Sequence, residues 1–139
     1  MIVLDTNVVS ELMKSVPALA VADWIAHQPA TSLYTTSVTQ AEILHGILLL
    51  PSGKRRTALE AAAEAMFRED FGGRVLPFGT DAARAYAQIA AQRRRAGRPI
   101  SQFDAQIAAI ARSSRAAIAT RNVSDYEGCG IAVLNPWEA

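Results

Sequence analysis

The sequence predicts a single α/β domain over residues 1–139, built on a five-stranded parallel sheet with helices on both faces. Three observations carry this. Short apolar runs of strand length recur along the chain, longer helix-forming segments rich in alanine separate them, and Pro17, Pro51 and Pro99 fall at the borders of those segments. Strands separated by helices require crossover connections, which are right-handed and leave the strands parallel.

The first apolar run, Met1 to Leu4, ends at Asp5 and reads as a buried strand with an acid at its carboxyl end. Helical segments are expected at Val8 to Lys14 and Ala18 to His27. A second strand at Leu33-Tyr34-Thr35 leads to a helix from Val38 to Leu50, with Ser37 as its cap, and another from Lys54 to Phe67. A third strand, Arg74-Val75-Leu76, precedes helices Asp81 to Arg95 and Ser101 to Arg112. Strands at Ala117 to Thr120 and Ile131 to Leu134 complete the sheet. In such open sheets ligands bind beyond the carboxyl ends of the strands, where the winding reverses. Asp5-Thr6-Asn7 and Arg121-Asn122-Val123-Ser124-Asp125 are the polar segments that leave strands there.

Composition narrows the function. With 139 residues, 50% of them hydrophobic, the chain can bury about two-thirds of its unfolded surface in one core. The single cysteine, Cys129, excludes an internal disulfide framework and a thiolate zinc cluster, and it points to a reducing, cytoplasmic setting. Asp5 interrupts the first apolar run before a signal sequence can form, and no stretch has membrane-spanning length. A net charge of +1 gives no global attraction for nucleic acid, so such binding has to be local.

The acids are in unexpected places. With successive residues about 100° apart around a helix, Asp104 shares a face with Ile107, Ala108 and Ala111, while Gln102, Gln106 and Ser113 point away. Glu42 lies with Val38, Gly46 and Leu49 on its side of the helix. A buried unpaired carboxylate costs several kcal/mol, so these acids need a cation, hydrogen bonds or a metal. Structural readings exist for each: Asp5 as a helix cap, Glu42 paired with an arginine, Asp104 favoured by the helix dipole, Asn122 and Asp125 as turn residues. Together, acids at strand ends and on core-facing helix surfaces, without histidine or cysteine among them, describe a hard-cation site of oxygen ligands suited to Mg²⁺ or Mn²⁺. Such sites hydrolyse phosphodiesters, with cations about 4 Å apart where two bind. Thr6 and Thr120 are candidates for orienting the outer shell.

With Asp5-Thr6-Asn7, Thr39-Gln40-Ala41-Glu42-Ile43-Leu44-His45-Gly46, Asp104-Ala105-Gln106-Ile107-Ala108-Ala109, Ala119-Thr120-Arg121-Asn122 and the closing Leu134-Asn135-Pro136-Trp137, the chain resembles PIN-domain ribonucleases of the VapC/FitB toxin type. The resemblance spans essentially the whole chain. It implies a homodimer, Mg²⁺- or Mn²⁺-dependent cleavage of RNA and neutralisation by a cognate antitoxin bound near the active site. Asp5, Glu42 and Asp104 match the family's first three acids. The family's fourth falls at the position of Asn122 or three residues later, at Asp125. Here Asp125 is expected to contribute to metal binding and catalysis, with Asn122 a neutral ligand or substrate contact, beside Thr6, Asn7 and Thr120.

Arg93-Arg94-Arg95-Ala96-Gly97-Arg98 is the densest positive cluster. Cations before a helix-ending glycine complement the dipole; the functional reading is that Arg94, Arg95 or Arg98 contacts RNA phosphates. His27 and His45 read as partly buried, hydrogen-bonded histidines rather than bases. Ile47-Leu48-Leu49-Leu50 is apolar all round, which predicts the core on one side and another chain on the other. Two other functional classes compete with a nuclease. One is a catalytically impaired module that binds RNA or antitoxin; the other is phosphoryl transfer through Asp5, disfavoured because Asn7 stands where a second Asp is wanted.

Overall fold

A computed structural model describes all residues 1–139. Five parallel strands form one sheet: β1 (Ile2–Leu4), β2 (Leu33–Thr36), β3 (Val75–Leu76), β4 (Ala117–Ala119) and β5 (Val133–Leu134), in the order β3-β2-β1-β4-β5. The register pairs Ile2 with Leu33 on one side of β1 and with Ala117 on the other. From β1 the chain winds outward through β2 to β3, then returns across the sheet to β4 and β5. The reversal therefore lies between β1 and β4, the expected place for a ligand.

Six helices connect the strands: α1 (Thr6–Leu12), α2 (Leu19–Ala26), α3 (Ser37–Leu48), α4 (Lys54–Ala65), α5 (Thr80–Arg95) and α6 (Gln102–Ser113). Alternation along the central strands decides which face each helix covers. Val3 and Ile118 join a core with Ala82, Ala85 and Ile89 of α5 and the apolar stripe of α6. Their neighbours Leu4 and Ala119 face the other way, against Val8 and Val9 of α1, Val21 of α2, and Ile43 and Ile47 of α3. Helices on both faces are thus a direct consequence of the period-two pattern. No helix is long and apolar enough to cross a membrane.

Element borders moved where side chains compete for backbone groups. α1 starts at Thr6 rather than Val8, because the Asp5 carboxylate accepts from the Thr6 N–H at 2.8 Å and caps the helix directly at the strand end. The cap of α3 is Thr36, not Ser37: its hydroxyl accepts from the Thr39 N–H at 3.0 Å, while Ser37 is already helical. α4 gives way to a π-helical turn over Met66–Asp70, which with the residue after it brings Phe67 and Phe71 into the core. Short 3-10 turns occupy Ala30–Ser32 and Val123–Tyr126, stretches the sequence left without regular structure.

α5 ends as its sequence indicates. Gly97 adopts φ 72°, and the N–H groups of Gly97 and Arg98 return to the carbonyls of Arg94 and Arg93. These are the two bonds of a Schellman termination, and a left-handed residue is needed to form them.

Candidate active site

β1, β4, α3 and α6 all present residues at the carboxyl edge of the sheet, and there a pocket of ≈ 250 Å³ is lined by Asp5, Thr6, Asn7, Glu42, Asp104, Asn122 and Asp125. None of the seven is hydrophobic. The chain meets them from four places in sequence because parallel strands deliver their carboxyl ends to one edge, and helices that return antiparallel to them begin at that edge.

Asp5 is the buried member. Its Oδ1 caps α1, and its Oδ2 accepts from the Thr120 hydroxyl at 2.8 Å. That hydroxyl in turn accepts from Asn7 Nδ2 at 3.2 Å and from the Asn122 N–H at 3.1 Å, so its proton has a single destination, the Asp5 carboxylate. Burial pushes the Asp5 carboxyl up to about 6; hydrogen bonds from Thr120, Thr6 and Tyr126 oppose the rise, and the Asp104 charge adds to it. Asn7 is fixed at its other end, where Oδ1 accepts from the Arg121 N–H at 3.3 Å.

Glu42, half-buried, accepts from the Thr6 hydroxyl at 2.8 Å, and Thr6 is 3.0 Å from the Thr39 hydroxyl. No arginine pairs with it, which removes that structural reading. Gly46 and Leu49, expected on its apolar side, are exposed: α3 runs outward from the sheet and its last turn leaves the core. Asp104 sits in the first turn of α6, where the Ser101 hydroxyl caps the helix through the Asp104 N–H at 3.2 Å, and Ile107, Ala108 and Ala111 on its face are buried as expected. Its Oδ1 accepts from the Tyr126 hydroxyl at 3.3 Å. Asn122 and Asp125 are both exposed, one as the residue entering the 3-10 turn and one within it, and both reach the pocket rim.

The acids share one pocket, but no three acidic, His or Cys groups converge into a ready-made metal cage. Like charges repel when enclosed together, as the effect of Asp104 on Asp5 shows, and hydrogen bonds from Thr6, Thr120 and Tyr126 hold the carboxylates instead. The donor set nevertheless fits a hard divalent cation: every lining residue offers oxygen, and no salt bridge neutralises any of the four acids.

Other expectations divide. Arg94 and Arg95 are exposed at the end of α5 beside Ala90 and Ala91, while Arg98 pairs with Glu127 at 3.0 Å; none of the three lines the pocket. His45 is exposed, and His27 is exposed with Nδ1 2.7 Å from the Asp23 carbonyl, so neither is partly buried. His45 lies at a solvent-facing position of α3, and His27 directly follows the last residue of α2. Ile47 is buried as expected, whereas Leu48 and Leu49 stand 53% and 73% exposed.

Three residues escaped the sequence reading. Thr39, three positions before Glu42, lies on the same helix face. Arg93 is buried four residues after Ile89, continuing the stripe Ala82, Ala85, Ile89, so its spacing carried the signal while its charge obscured it. Tyr126, fully buried, had only its adjacency to Asp125 to mark it.

Residues 2–124 match the PIN domain family. The chain is 44% identical over 138 residues to VapC ribonuclease Y4jK of Sinorhizobium fredii, covering 99% of both chains. It is 36% identical over 137 residues to Toxin FitB of Neisseria gonorrhoeae, again covering 99% of both. The crystal structure of FitAcB from Neisseria gonorrhoeae superposes with a TM-score of 0.93 at 35% identity, over the full length of both chains. A parallel sheet whose reversal carries an all-polar acidic pocket, and whose sequence matches from β1 through the turn after β4, has one reading: the chain belongs to the PIN domain family.

Proposed function

We propose that this chain is the ribonuclease toxin of a toxin–antitoxin pair, hydrolysing RNA phosphodiester bonds with Mg²⁺ or Mn²⁺. The carrying observation is the pocket itself, which places Asp5, Glu42, Asp104, Asn122 and Asp125 around one opening with no opposing cation. Asp5, Glu42 and Asp104 would hold the ion, and Asp125 would complete the site, with Asn122 as a neutral oxygen ligand or a substrate contact. When bound, the ion supplies Lewis acidity toward a phosphoryl oxygen and lowers the pKa of water.

The chain's own residues do the positioning. Thr120 points one oxygen of Asp5 and ties it to Asn7 and Asn122 through a single hydroxyl. Thr6 turns Glu42 toward the pocket. The presence of Asp125 at the rim, beside the amide of Asn122, supports a working enzyme over an impaired binding module. Incubating the purified protein with single-stranded and structured RNA in Mg²⁺, Mn²⁺ or chelator tests this. Cleavage that requires the ion and falls at least 100-fold in Asp5→Asn is expected; metal-independent cleavage, or full activity in Asp5→Asn, overturns it.

The partners follow from the surface. Leu48 and Leu49, exposed in succession at the end of α3, would meet a second copy of the chain or the antitoxin. Sedimentation giving a monomer for the chain alone would remove the second copy from this reading.

A further inference from the structure

Tyr126 is the largest fully buried side chain in the molecule and the only tyrosine buried in it. A phenol hydroxyl placed in a core requires a partner, and Tyr126 directs its own at Asp104 Oδ1, 3.3 Å away. Burial, with the charges of Asp5 and Asp104, raises its pKa above the ordinary phenol range. A buried proton donor therefore stands behind Asp104, one of the acids that line the pocket.

The turn that carries this tyrosine is held from beneath. Arg93, only 7% exposed, donates from Nη1 to the carbonyls of Asp125 at 2.9 Å and Glu127 at 3.0 Å, and from Nε to the Arg98 carbonyl at 2.7 Å. The guanidinium brackets Tyr126 by its two neighbours' carbonyls, and the planar fork keeps that geometry rigid. The brace fixes the turn, and the turn fixes the ring.

We infer that Tyr126 is a positioning residue for the acidic pocket: its hydroxyl holds one oxygen of Asp104 and leaves the other to face a divalent cation. The inference rests on the reading of the pocket as the metal site. A carboxylate free to rotate presents either oxygen and loses orientation on binding, whereas one anchored at Oδ1 has that ordering done in the folded chain. Hydrogen-bonding partners of metal-binding carboxylates typically contribute 10- to 100-fold to metal affinity.

The test is Mn²⁺ titration by calorimetry on the wild-type chain, Tyr126→Phe, Asp104→Asn and the double variant. Phe fills the same space, so folding is preserved and circular dichroism confirms it. Tyr126→Phe is expected to weaken Mn²⁺ binding about tenfold, and to do so only when Asp104 is present, leaving the Asp104→Asn background unchanged. A purely structural role would weaken both backgrounds alike and overturns the inference, as does Mn²⁺ affinity in Tyr126→Phe within twofold of the wild type. If Tyr126→Phe does not fold, Arg93→Lys, which keeps the hydroxyl and loosens the turn, is expected to weaken Mn²⁺ binding severalfold; unchanged affinity there has the same adverse meaning. No Mn²⁺ binding by the wild-type chain overturns the metal-site reading first, and the role of Tyr126 with it.

Discussion

At Asp5 the two carboxylate oxygens are committed to different partners, one to the first N–H of α1 and one to the Thr120 hydroxyl. The capping role and the site role, alternatives in the sequence, are thus held by the same side chain. Its burial has a consequence for stability. The folded value of about 6 lies above the ordinary 3.8, so the contribution of Asp5 to stability is fully present below 3.8 and is lost as pH rises through 6. A shift of this size corresponds to about 3 kcal/mol against the metal-free fold at neutral pH. In chelator, urea unfolding of the wild type should therefore weaken from pH 5 to pH 7.5 relative to Asp5→Asn. Parallel pH curves for the two proteins would show that Asp5 carries no such penalty. Glu11 shows the opposite sign: the Lys14 ammonium and the Ala18 N–H hold its carboxyl below the usual range and tie the end of α1 to the start of α2.

Among the elements, α5 is the one whose sequence and structure differ most in meaning. Its three terminal arginines read as one cationic cluster, yet a helix turns its side chains by about 100° each, and Arg93 falls on the buried stripe while Arg94 and Arg95 face solvent. Arg93→Met keeps the apolar stem and removes the donors to three carbonyls. A loss of about 2–3 kcal/mol in urea unfolding is expected, with faster amide exchange confined to the 123–129 segment. Exchange spreading evenly over the molecule would place the brace elsewhere. α3 shows the complementary effect: its first turns build the site through Thr39 and Glu42, and its last turn exposes Leu48 and Leu49. The apolar character of that turn was plain from its residues. Which of its side chains the core covers depends on how far α3 extends past the sheet.

For the whole molecule, a net charge of +1 leaves RNA attraction to local features. Arg94 and Arg95 are exposed and unpaired, whereas Arg98 is engaged with Glu127. Replacing Arg94 or Arg95 with Gln should lower the slope of log affinity against log salt for a single-stranded RNA by about 0.7 each, while Arg98→Gln should lower it less. Equal slopes in all three variants would exclude these arginines from the RNA path. The number of strands, the parallel sense of the sheet and the placement of the acidic segments beyond its carboxyl edge were legible in the alternation of apolar runs and helices, because those features follow from periodicity and chain direction; the order β3-β2-β1-β4-β5 was not, since it depends on long-range pairing. Element borders were less so, since Asp5 and Thr36 set them through single hydrogen bonds that competing residues nearby could equally have made.

The sequence alone determined the fold class, the two apolar faces of the sheet and the identity of the acids, since local pattern and side-chain chemistry carry that information. Only the tertiary structure decided that Asn122 and Asp125 both reach the pocket, that Thr120 joins three polar groups through one hydroxyl, and that Arg93 and Tyr126 support the site from the core. Those relations join residues 22 to 115 positions apart or depend on how a short turn is oriented. Hydrogen bonds across such separations exist only once packing has brought both partners to the same place.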